Sequence, residues 1–449
     1  MAKTCDTSNT EPITGRVAYI NAHLLDPASG LDGIGAIVTE GECIADMGQD
    51  LFRDGKGWSV PDGVKMIDCG GAYLAPGFVD IRVQTGEPGH EHKGTLVSAG
   101  RAATAGGITS MVCLPNTEPV IDDMSVVEFV ARRARKLGLT KVYPYGAITK
   151  GTNGKELAEL GMLSEAGAVA FTDGVKTVDN AQVMRQALSY ASTFDLLLIQ
   201  HPEEHTLAGD GVMNLGEIST RLGLSGIPIQ AEVIIIERDI RLAELTGGRI
   251  HFAHVSTAES VDVIRRAKDR GTRVTCDTAP PYFALNETAV GEYRTFSKLS
   301  PPLRCEADRQ AIVAGLKDGT IDVIASDHSP QDEESKRLPF AQAAFGGIGL
   351  DTLLPLTLEL YHNGHLSLLD AIAMITSKPA ALLGLPAGQL AVGARADLTV
   401  FEPDRGWKVD AETLISKSKN TPFDGRPVQG RVLRTVVDGR IVHELPGGG

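Results

Sequence analysis

The sequence lacks several features that define whole classes of protein. No run of about 18 apolar residues occurs, although a membrane-spanning helix needs one. Residues 1–16 are polar and do not contain the apolar segment of a secretory signal. No Cys-x-x-Cys motif is present, and a chain of 449 residues does not depend on disulfides for stability. The sequence therefore predicts a cytoplasmic protein whose six cysteines are reduced thiols.

An excess of positive charge is also absent, because the formal net charge is −14 at pH 7. This balance disfavours nucleic acid and anionic membranes as partners. No G-x-G-x-x-G motif follows an early strand, which weighs against a dinucleotide-binding fold. A local arginine can still bind an anionic ligand, so we expect a small-molecule partner, no nucleic acid and no membrane.

The middle of the chain alternates apolar strands with helical patterns. Strands are predicted at 74–81, 110–114, 141–147, 168–172, 196–200, 250–255, 273–277 and 323–326. About eight such βα units favour one closed (β/α)8 TIM barrel over an open parallel sheet. Both ends of the chain are instead rich in short strands. We predict an α/β protein with a barrel at 73–386 and a small β domain built from 1–72 and 387–449.

Several predicted barrel strands stop at an acidic residue or a histidine. Asp173, His201, His254 and Asp327 each follow a different apolar segment. Catalytic groups of TIM barrels lie at the carboxyl ends of the strands, so the four side chains are predicted to share one mouth of the barrel. A single histidine in such a position is more often structural than functional. Two His and two Asp together form a ligand set that zinc accepts.

A series of motifs resembles class I dihydroorotases of the amidohydrolase superfamily. The motifs extend through the predicted barrel and are APGFVD (75–80), EPG (87–89), GGIT (106–109), LPNT (114–117), PVID (119–122), AVAFTD (168–173), HVST (254–257), SPPLR (300–304) and SDHSP (326–330). The resemblance implies a barrel that hydrolyses a cyclic amide, interconverting dihydroorotate and carbamoyl aspartate.

The resemblance also assigns roles to individual residues. It implies that Asp173, His201 and His254 are metal ligands and that Asp327 is the catalytic carboxylate that moves the proton. Asn116 and Arg304 take positions that bind substrate. In the family, two metal ions hold a bridging hydroxide and polarise the ring carbonyl.

The chain departs from the family pattern at five positions. The family reads Asp-x-His-x-His on its first strand, but here Arg82 and Gln84 replace both histidines. Gly86 replaces the arginine that binds the substrate carboxylate. Ser300 replaces an asparagine, and Gln331 replaces a histidine. These changes fall on one metal site and on the substrate positions.

The lost histidines imply at most one remaining metal ion. Zinc held by Asp173, His201 and His254 would leave an open position for water. Arg82 is then expected near Asp173 and Asp327, where its fixed charge would substitute for the lost metal.

Three functions stay open from the sequence. The chain could be an active cyclic amide hydrolase of de novo pyrimidine biosynthesis with an incomplete site. It could be a non-catalytic homologue that serves as a structural partner of aspartate carbamoyltransferase. It could also hydrolyse another cyclic amide or ureide. We expect a homo-oligomer in each case.

Overall fold

A computed structural model describes residues 15–54 and 57–446. Most of residues 1–16, for which the sequence predicts no secretory signal, therefore lie outside the described residues. Cys5 lies outside them as well. The strands, numbered in chain order, are β1 Arg16–Asp26, β2 Leu31–Glu40, β3 Cys43–Gly48, β4 Arg53–Asp54, β5 Gly57–Trp58, β6 Val64–Asp68, β7 Tyr73–Pro76, β8 Phe78–Val83, β9 Ile108–Cys113, β10 Lys141–Pro144, β11 Leu197–Gln200, β12 Met213–Asn214, β13 Gly226–Ile227, β14 Arg249–Phe252, β15 Val274–Thr278, β16 Val323–Ile324, β17 Leu398–Lys408, β18 Pro427–Val437 and β19 Arg440–Glu444.

The longer helices surround the barrel, and shorter ones lie within the loops that follow its strands. They are α1 Leu96–Ala105, α2 Met124–Leu137, α3 Leu160–Glu165, α4 Ala181–Thr193, α5 His205–Ala208, α6 Glu217–Leu222, α7 Gln230–Thr246, α8 Ala258–Asp269, α9 Pro280–Ala284, α10 Glu306–Lys317, α11 Glu333–Arg337, α12 Leu353–His362, α13 Leu368–Ala373 and α14 Ser377–Leu383. Short 3-10 turns lie at Lys150–Thr152, Glu287–Val290, Thr295–Ser297 and Leu350–Thr352.

The two ends of the chain form one β-sheet, as the sequence predicts. Its strand order is β19-β18-β17-β7-β1-β2-β3, and β6 pairs with β1. Asp438 and Gly439 connect β18 to β19 with φ angles of 47° and 73°, the left-handed conformation of a type I′ hairpin turn. Strand β7 lies in this sheet between β1 and β17, although the predicted boundary at 72/73 assigned it to the barrel. The other numerical boundaries stay predictions.

Two parallel arcs form the barrel. One arc is β10-β9-β8 and the other is β11-β14-β15-β16. Phe171 joins them on one side by bridging Gly146 and Leu198, and the Val83–His328 bridge joins them on the other. The predicted strand at 168–172 is thus reduced to a bridge, and the ring closes as a (β/α)8 barrel.

The barrel helices follow their apolar periodicity and their caps. Asp123 accepts a hydrogen bond from the backbone of Ser125 at the start of α2, and Asn180 caps α4 in the same way. The sequence suggests loops at 213–216 and 223–228, and α6 lies between these two segments. It also suggests a charged loop at 331–337, but α11 lies within that segment. Helix α11 forms although its residues are charged, because Asp332 caps it.

The structure describes five of the six cysteines. Cys43, Cys69, Cys113, Cys276 and Cys305 all carry free thiols. Within the described ranges, no helix is long and apolar enough to cross a membrane.

Candidate active site

A cavity opens at the carboxyl end of the barrel strands. It has a volume of ≈ 420 Å³. Four sequence-predicted residues line it: Arg82, Asn116, His201 and Asp327. The predicted residues Asp173, His254 and Arg304 are not part of this lining. The structure therefore brings only part of the predicted set to one surface.

An ion pair connects the first and last strands of the barrel in this cavity. Arg82 Nε donates to Asp327 Oδ1 at 2.9 Å, and Arg82 Nη2 donates to the carbonyl of Gly174 at 3.2 Å. The side chain of Arg82 is 4% exposed and that of Asp327 is 18% exposed. Burial raises the pKa of Asp327 to about 7, and the nearby Arg82 charge opposes this rise. The expected proximity of Arg82 to Asp327 is thus observed.

Asp80 lies beneath this pair and ties the same two strands together. Its Oδ1 accepts the backbone N–H groups of Ser326 at 3.0 Å and Arg82 at 3.2 Å. Its Oδ2 is buried without a hydrogen-bond partner among the described residues. Burial raises the pKa of Asp80 to about 6. Two buried carboxyl groups, those of Asp80 and Asp327, therefore lie where the first and last barrel strands meet.

His201 and His254 lie side by side at the ends of neighbouring strands. His201 Nδ1 and His254 Nε2 share a hydrogen bond of 2.9 Å. Burial, together with the positive charge of Arg82, lowers the pKa of His201 to about 3. Burial, followed by the same Arg82 charge, also lowers the pKa of His254 well below its ordinary value. Both imidazoles are consequently neutral at physiological pH.

Asp277 fixes the backbone behind this histidine pair. Its carboxylate accepts the backbone N–H of His254 at 2.7 Å and hydrogen-bonds His251 Nε2 at 2.9 Å. Sequence reasoning missed both Asp277 and His251. Asp277 lies on β15 and His251 lies on β14, and both are buried. A polar residue inside a predicted buried strand was the sequence feature that could have identified them.

Asp173 makes its hydrogen bonds with the loop that follows β10. Its Oδ1 accepts the backbone N–H groups of Ile148 and Thr149, each at 2.9 Å, and its Oδ2 accepts the Thr149 hydroxyl. Both oxygens are therefore engaged by neighbours on the preceding βα loop. Burial raises the pKa of Asp173, against the effect of these hydrogen bonds.

These side chains do not fit a metal ion with three protein ligands. Across residues 15–54 and 57–446, no group of three His, Cys, Asp or Glu side chains is arranged to hold one. His201 and His254 supply two neutral nitrogen donors, but Asp173 is held by Thr149 and the Arg82 charge faces the pair. Zinc at this site stays a prediction, and the residues as placed do not support it.

A hydrogen-bonded chain of polar side chains crosses one wall of the cavity. Asn116 Nδ2 donates to Gln84 Oε1 at 3.1 Å, and Gln84 Nε2 donates to Ser329 Oγ at 2.9 Å. Gln84, which occupies a metal-ligand position of the resembled family, thus acts as a bridge between two strand ends. Asn116 keeps a position on the cavity surface.

Arg304 has structural contacts instead of a place in the cavity. Its Nε donates to Ser256 Oγ at 3.1 Å, and its Nη1 donates to Asn214 Oδ1 at 3.1 Å and to the carbonyl of Ile227 at 3.0 Å. Glu232 lies 3.6 Å from its Nη2. These partners satisfy the buried guanidinium, so a contact with substrate stays a prediction that the geometry does not favour.

Three further charged or titratable residues line the cavity, and sequence reasoning did not assign them there. They are His90, Lys93 and Glu203. His90 lies in a polar segment, and this context predicts a surface or capping residue. The loops that follow barrel strands form the active-site mouth in this fold, and that rule was the signal for all three.

Two site residues have strained backbones. His254 and Asp327 have φ angles of 40° and 51°, a region that residues other than glycine seldom adopt. Such strain persists where the surrounding structure fixes it, and it is concentrated at binding and catalytic sites. Both strained residues lie just beyond the carboxyl ends of barrel strands, His254 after β14 and Asp327 after β16.

Comparisons with known proteins agree with this architecture. The family described as Dihydro-orotase-like matches residues 71–260, and the family described as Amidohydrolase family matches residues 242–443. Among curated proteins, the dihydroorotase of Syntrophotalea carbinolica is 47% identical over 430 residues, covering 96% of this chain and 99% of that protein. The dihydroorotase of Anaplasma phagocytophilum is 45% identical over 429 residues, covering 95% of each chain.

Solved structures show the same fold. The L-hydantoinase (dihydropyrimidinase) of Arthrobacter aurescens superposes with a TM-score of 0.83 at 25% identity and covers 96% of both chains. The dihydropyrimidinase of Brevibacillus agri has a TM-score of 0.79 at 21% identity and covers 96% of this chain and 95% of its own. At these identities the superpositions establish the barrel and its β domain.

Proposed function

The chain belongs to the dihydroorotase-like family of amidohydrolases, and from that premise we propose that it is a dihydroorotase homologue of pyrimidine biosynthesis that binds its ligand but hydrolyses it weakly or not at all. The ligand class is dihydroorotate and carbamoyl aspartate. The ion pair between Arg82 and Asp327 is the observation that carries the proposal.

The ion pair opposes hydrolysis in two ways. Asp327 is the carboxylate expected to accept the proton of the attacking water, and the guanidinium that donates to its Oδ1 at 2.9 Å lowers its proton affinity. The same guanidinium lies close enough to His201 and His254 to lower the pKa of both, so it also repels a divalent cation there.

Ligand binding is supported by what the cavity retains. Asn116 faces the cavity, its amide is oriented by Gln84, and the volume of ≈ 420 Å³ lies in the range of small-molecule sites. The strained backbones of His254 and Asp327 also indicate a preserved site. Proton transfer by a positioned side chain contributes about 10²- to 10⁴-fold to turnover, so its weakening by Arg82 should reduce turnover within that range.

Isothermal titration calorimetry and a dihydroorotate assay test the proposal together. The chain is purified without chelator, supplied with zinc, and assayed beside the S. carbinolica dihydroorotase as the active comparator. We expect measurable binding of dihydroorotate or carbamoyl aspartate, with turnover at least about 100-fold below that of the comparator. Turnover equal to the comparator's refutes the loss of hydrolysis, and absence of binding to either compound refutes the retained site.

A second candidate is an active cyclic amide hydrolase with a single zinc ion. The adjacent neutral imidazoles of His201 and His254 favour it, because the neutral form is the one that coordinates zinc. Zinc-dependent turnover that His201→Ala abolishes would select this candidate. No contact among the described residues favours another cyclic amide or ureide as substrate.

Three further expectations about function stay proposals. Association with aspartate carbamoyltransferase, homo-oligomerisation and a cytoplasmic location each follow from the family resemblance or composition. Co-expression with the carbamoyltransferase followed by size-exclusion chromatography tests the first two. Two separate peaks at micromolar concentration would remove the partnership.

A further inference from the structure

The cavity contains one strong cation that no described side chain neutralises. Arg82 is paired with Asp327. Lys93 also lines the cavity, but its ammonium makes no ion pair or hydrogen bond with any residue that the structure describes. His90 lies on the same stretch of wall. A half-buried lysine without an internal partner leaves its charge available to an anionic ligand.

Gly86 determines the path of the loop that carries Lys93. Its φ is +74°, and a Cβ added there would lie 2.6 Å from the carbonyl oxygen of Gly94 and 2.9 Å from that of His90. The backbone N–H of His90 donates to the Gly86 carbonyl at 2.6 Å. Residues 86–94 therefore fold back on themselves, and a side chain at position 86 would prevent this close approach.

The loop is anchored on both sides of Lys93. The Ser418 hydroxyl donates to the Lys93 carbonyl at 2.7 Å. Glu87 accepts the backbone N–H of Leu96 at 2.9 Å and the guanidinium of Arg133 at 3.0 Å. Thr95 and Ser98 form a capping box at the start of α1 immediately after the loop. The backbone of Lys93 is thus fixed at the cavity wall.

We propose that Lys93 binds the carboxylate of the ligand in the cavity, replacing the arginine that the family carries where this chain has Gly86. The inference rests on the proposed function, since it assumes a ligand of the dihydroorotate class. The absence of an arginine at position 86 and the position of Lys93 are linked. Glycine at position 86 allows the close approach of the loop backbone that places Lys93 at the cavity wall. Lys93 is then a specificity-determining residue for anionic ring compounds.

Calorimetric titration with a matched pair of ligands tests the assignment. Dihydroorotate carries the ring carboxylate, and 5,6-dihydrouracil is the same ring without it. Lys93→Met should raise the Kd for dihydroorotate about 10- to 100-fold, the range for a charge-assisted hydrogen bond, and leave the Kd for dihydrouracil unchanged. Lys93→Arg should stay within a few-fold of the wild type.

Lys65→Met is the control, because it removes a lysine from the exposed surface of β6 in the β domain. It should leave both Kd values unchanged. Unaltered dihydroorotate binding by Lys93→Met, or an equal loss for both ligands, overturns the inference and leaves the proposed function intact. If the wild type binds neither ligand nor carbamoyl aspartate, the proposed function fails and the inference fails with it.

Discussion

Arg82 on the first barrel strand and Asp327 after the last are joined by a hydrogen bond of 2.9 Å between buried or nearly buried groups. In the resembled family, metal ions neutralise the carboxylates of this region. Here a side chain of the protein supplies the positive charge, and Gly174 accepts its second hydrogen bond. The site is consequently held together by residues whose loss should affect stability as well as ligand binding.

Removal of Arg82 should destabilise the fold. Arg82→Ala leaves Asp327 without its partner beside the buried Asp80, which typically costs about 3–5 kcal/mol. Asp327→Ala in the same background should cost less than it does in the wild type, with a coupling of about 0.5–3 kcal/mol. Urea unfolding of the four proteins measures this cycle. Additive effects would contradict a direct interaction.

An exposed ion pair provides the control for that cycle. Lys150 and Glu156 are 49% and 71% exposed, so their pair is screened by solvent. Lys150→Ala should leave the midpoint of urea unfolding close to the wild-type value, because solvent screens the pair. An equal loss of stability in Arg82→Ala and Lys150→Ala would mean that the buried pair contributes no more to stability than an exposed one.

Restoring the two family histidines should restore metal binding. The Arg82→His/Gln84→His variant replaces the fixed cation with neutral donors beside His201, and His donors suit zinc. We expect one more tightly bound zinc per chain than in the wild type, which should hold at most one, by mass spectrometry of the metals. Arg82→Gln is the control, because it removes the charge without adding a donor. Two tightly bound equivalents in the wild type would refute the lost site.

The buried histidine pair should make the fold sensitive to acid. The pKa of His201 is about 3 in the folded chain, compared with 6.5 for a solvent-exposed histidine. Between these values the unfolded chain binds a proton that the folded chain does not, so stability falls as pH decreases below 6.5. From pH 7 to pH 5 this loss is about 2 kcal/mol for one histidine. His201→Asn should lose correspondingly less stability over that interval, whereas His92→Asn at an exposed position should behave as the wild type.

A side chain at position 86 should destabilise the fold more than a side chain at another glycine with a positive φ. Gly86→Ala introduces a Cβ against two backbone carbonyls, whereas Gly271→Ala, at a φ of +81°, meets no atom within 4 Å. Both substitutions carry the cost of a left-handed backbone, about 1–2 kcal/mol. Gly86→Ala should cost about 1–3 kcal/mol more because of the added crowding. Equal shifts in Tm would show that the loop relaxes freely.

Local signals in the sequence predicted most of the architecture. The sequence pattern predicts helices at 124–137, 181–193 and 306–317, which are the observed bounds of α2, α4 and α10. The Asp438-Gly439 pair likewise predicts the β18–β19 hairpin. These features depend on neighbouring residues alone. The bridge at Phe171 was overestimated as a full strand, because an apolar run does not reveal how many ladder hydrogen bonds it forms.

The site was harder to predict because its contacts join distant segments. Residue type placed Asp173 at a strand end, but the Thr149 hydroxyl and backbone on the preceding loop decide where its carboxylate points. Arg304 follows a family motif, yet Asn214 and Ser256 occupy its donors. Neither the periodicity of the sequence nor the spacing of its motifs reveals which of several partners a side chain will contact.

The closure of the barrel between its first and last strands also constrains its synthesis. Arg82 and Asp327 are separated by 245 positions, and Asp80 pairs with the backbone of Ser326, which lies 246 positions later. At roughly 5–20 residues per second, a ribosome needs about 12–50 s to cover that distance. During this interval the nascent first strand carries a carboxylate and a guanidinium whose native partners do not yet exist. The ring can therefore close around these charges only after the last barrel strand has emerged.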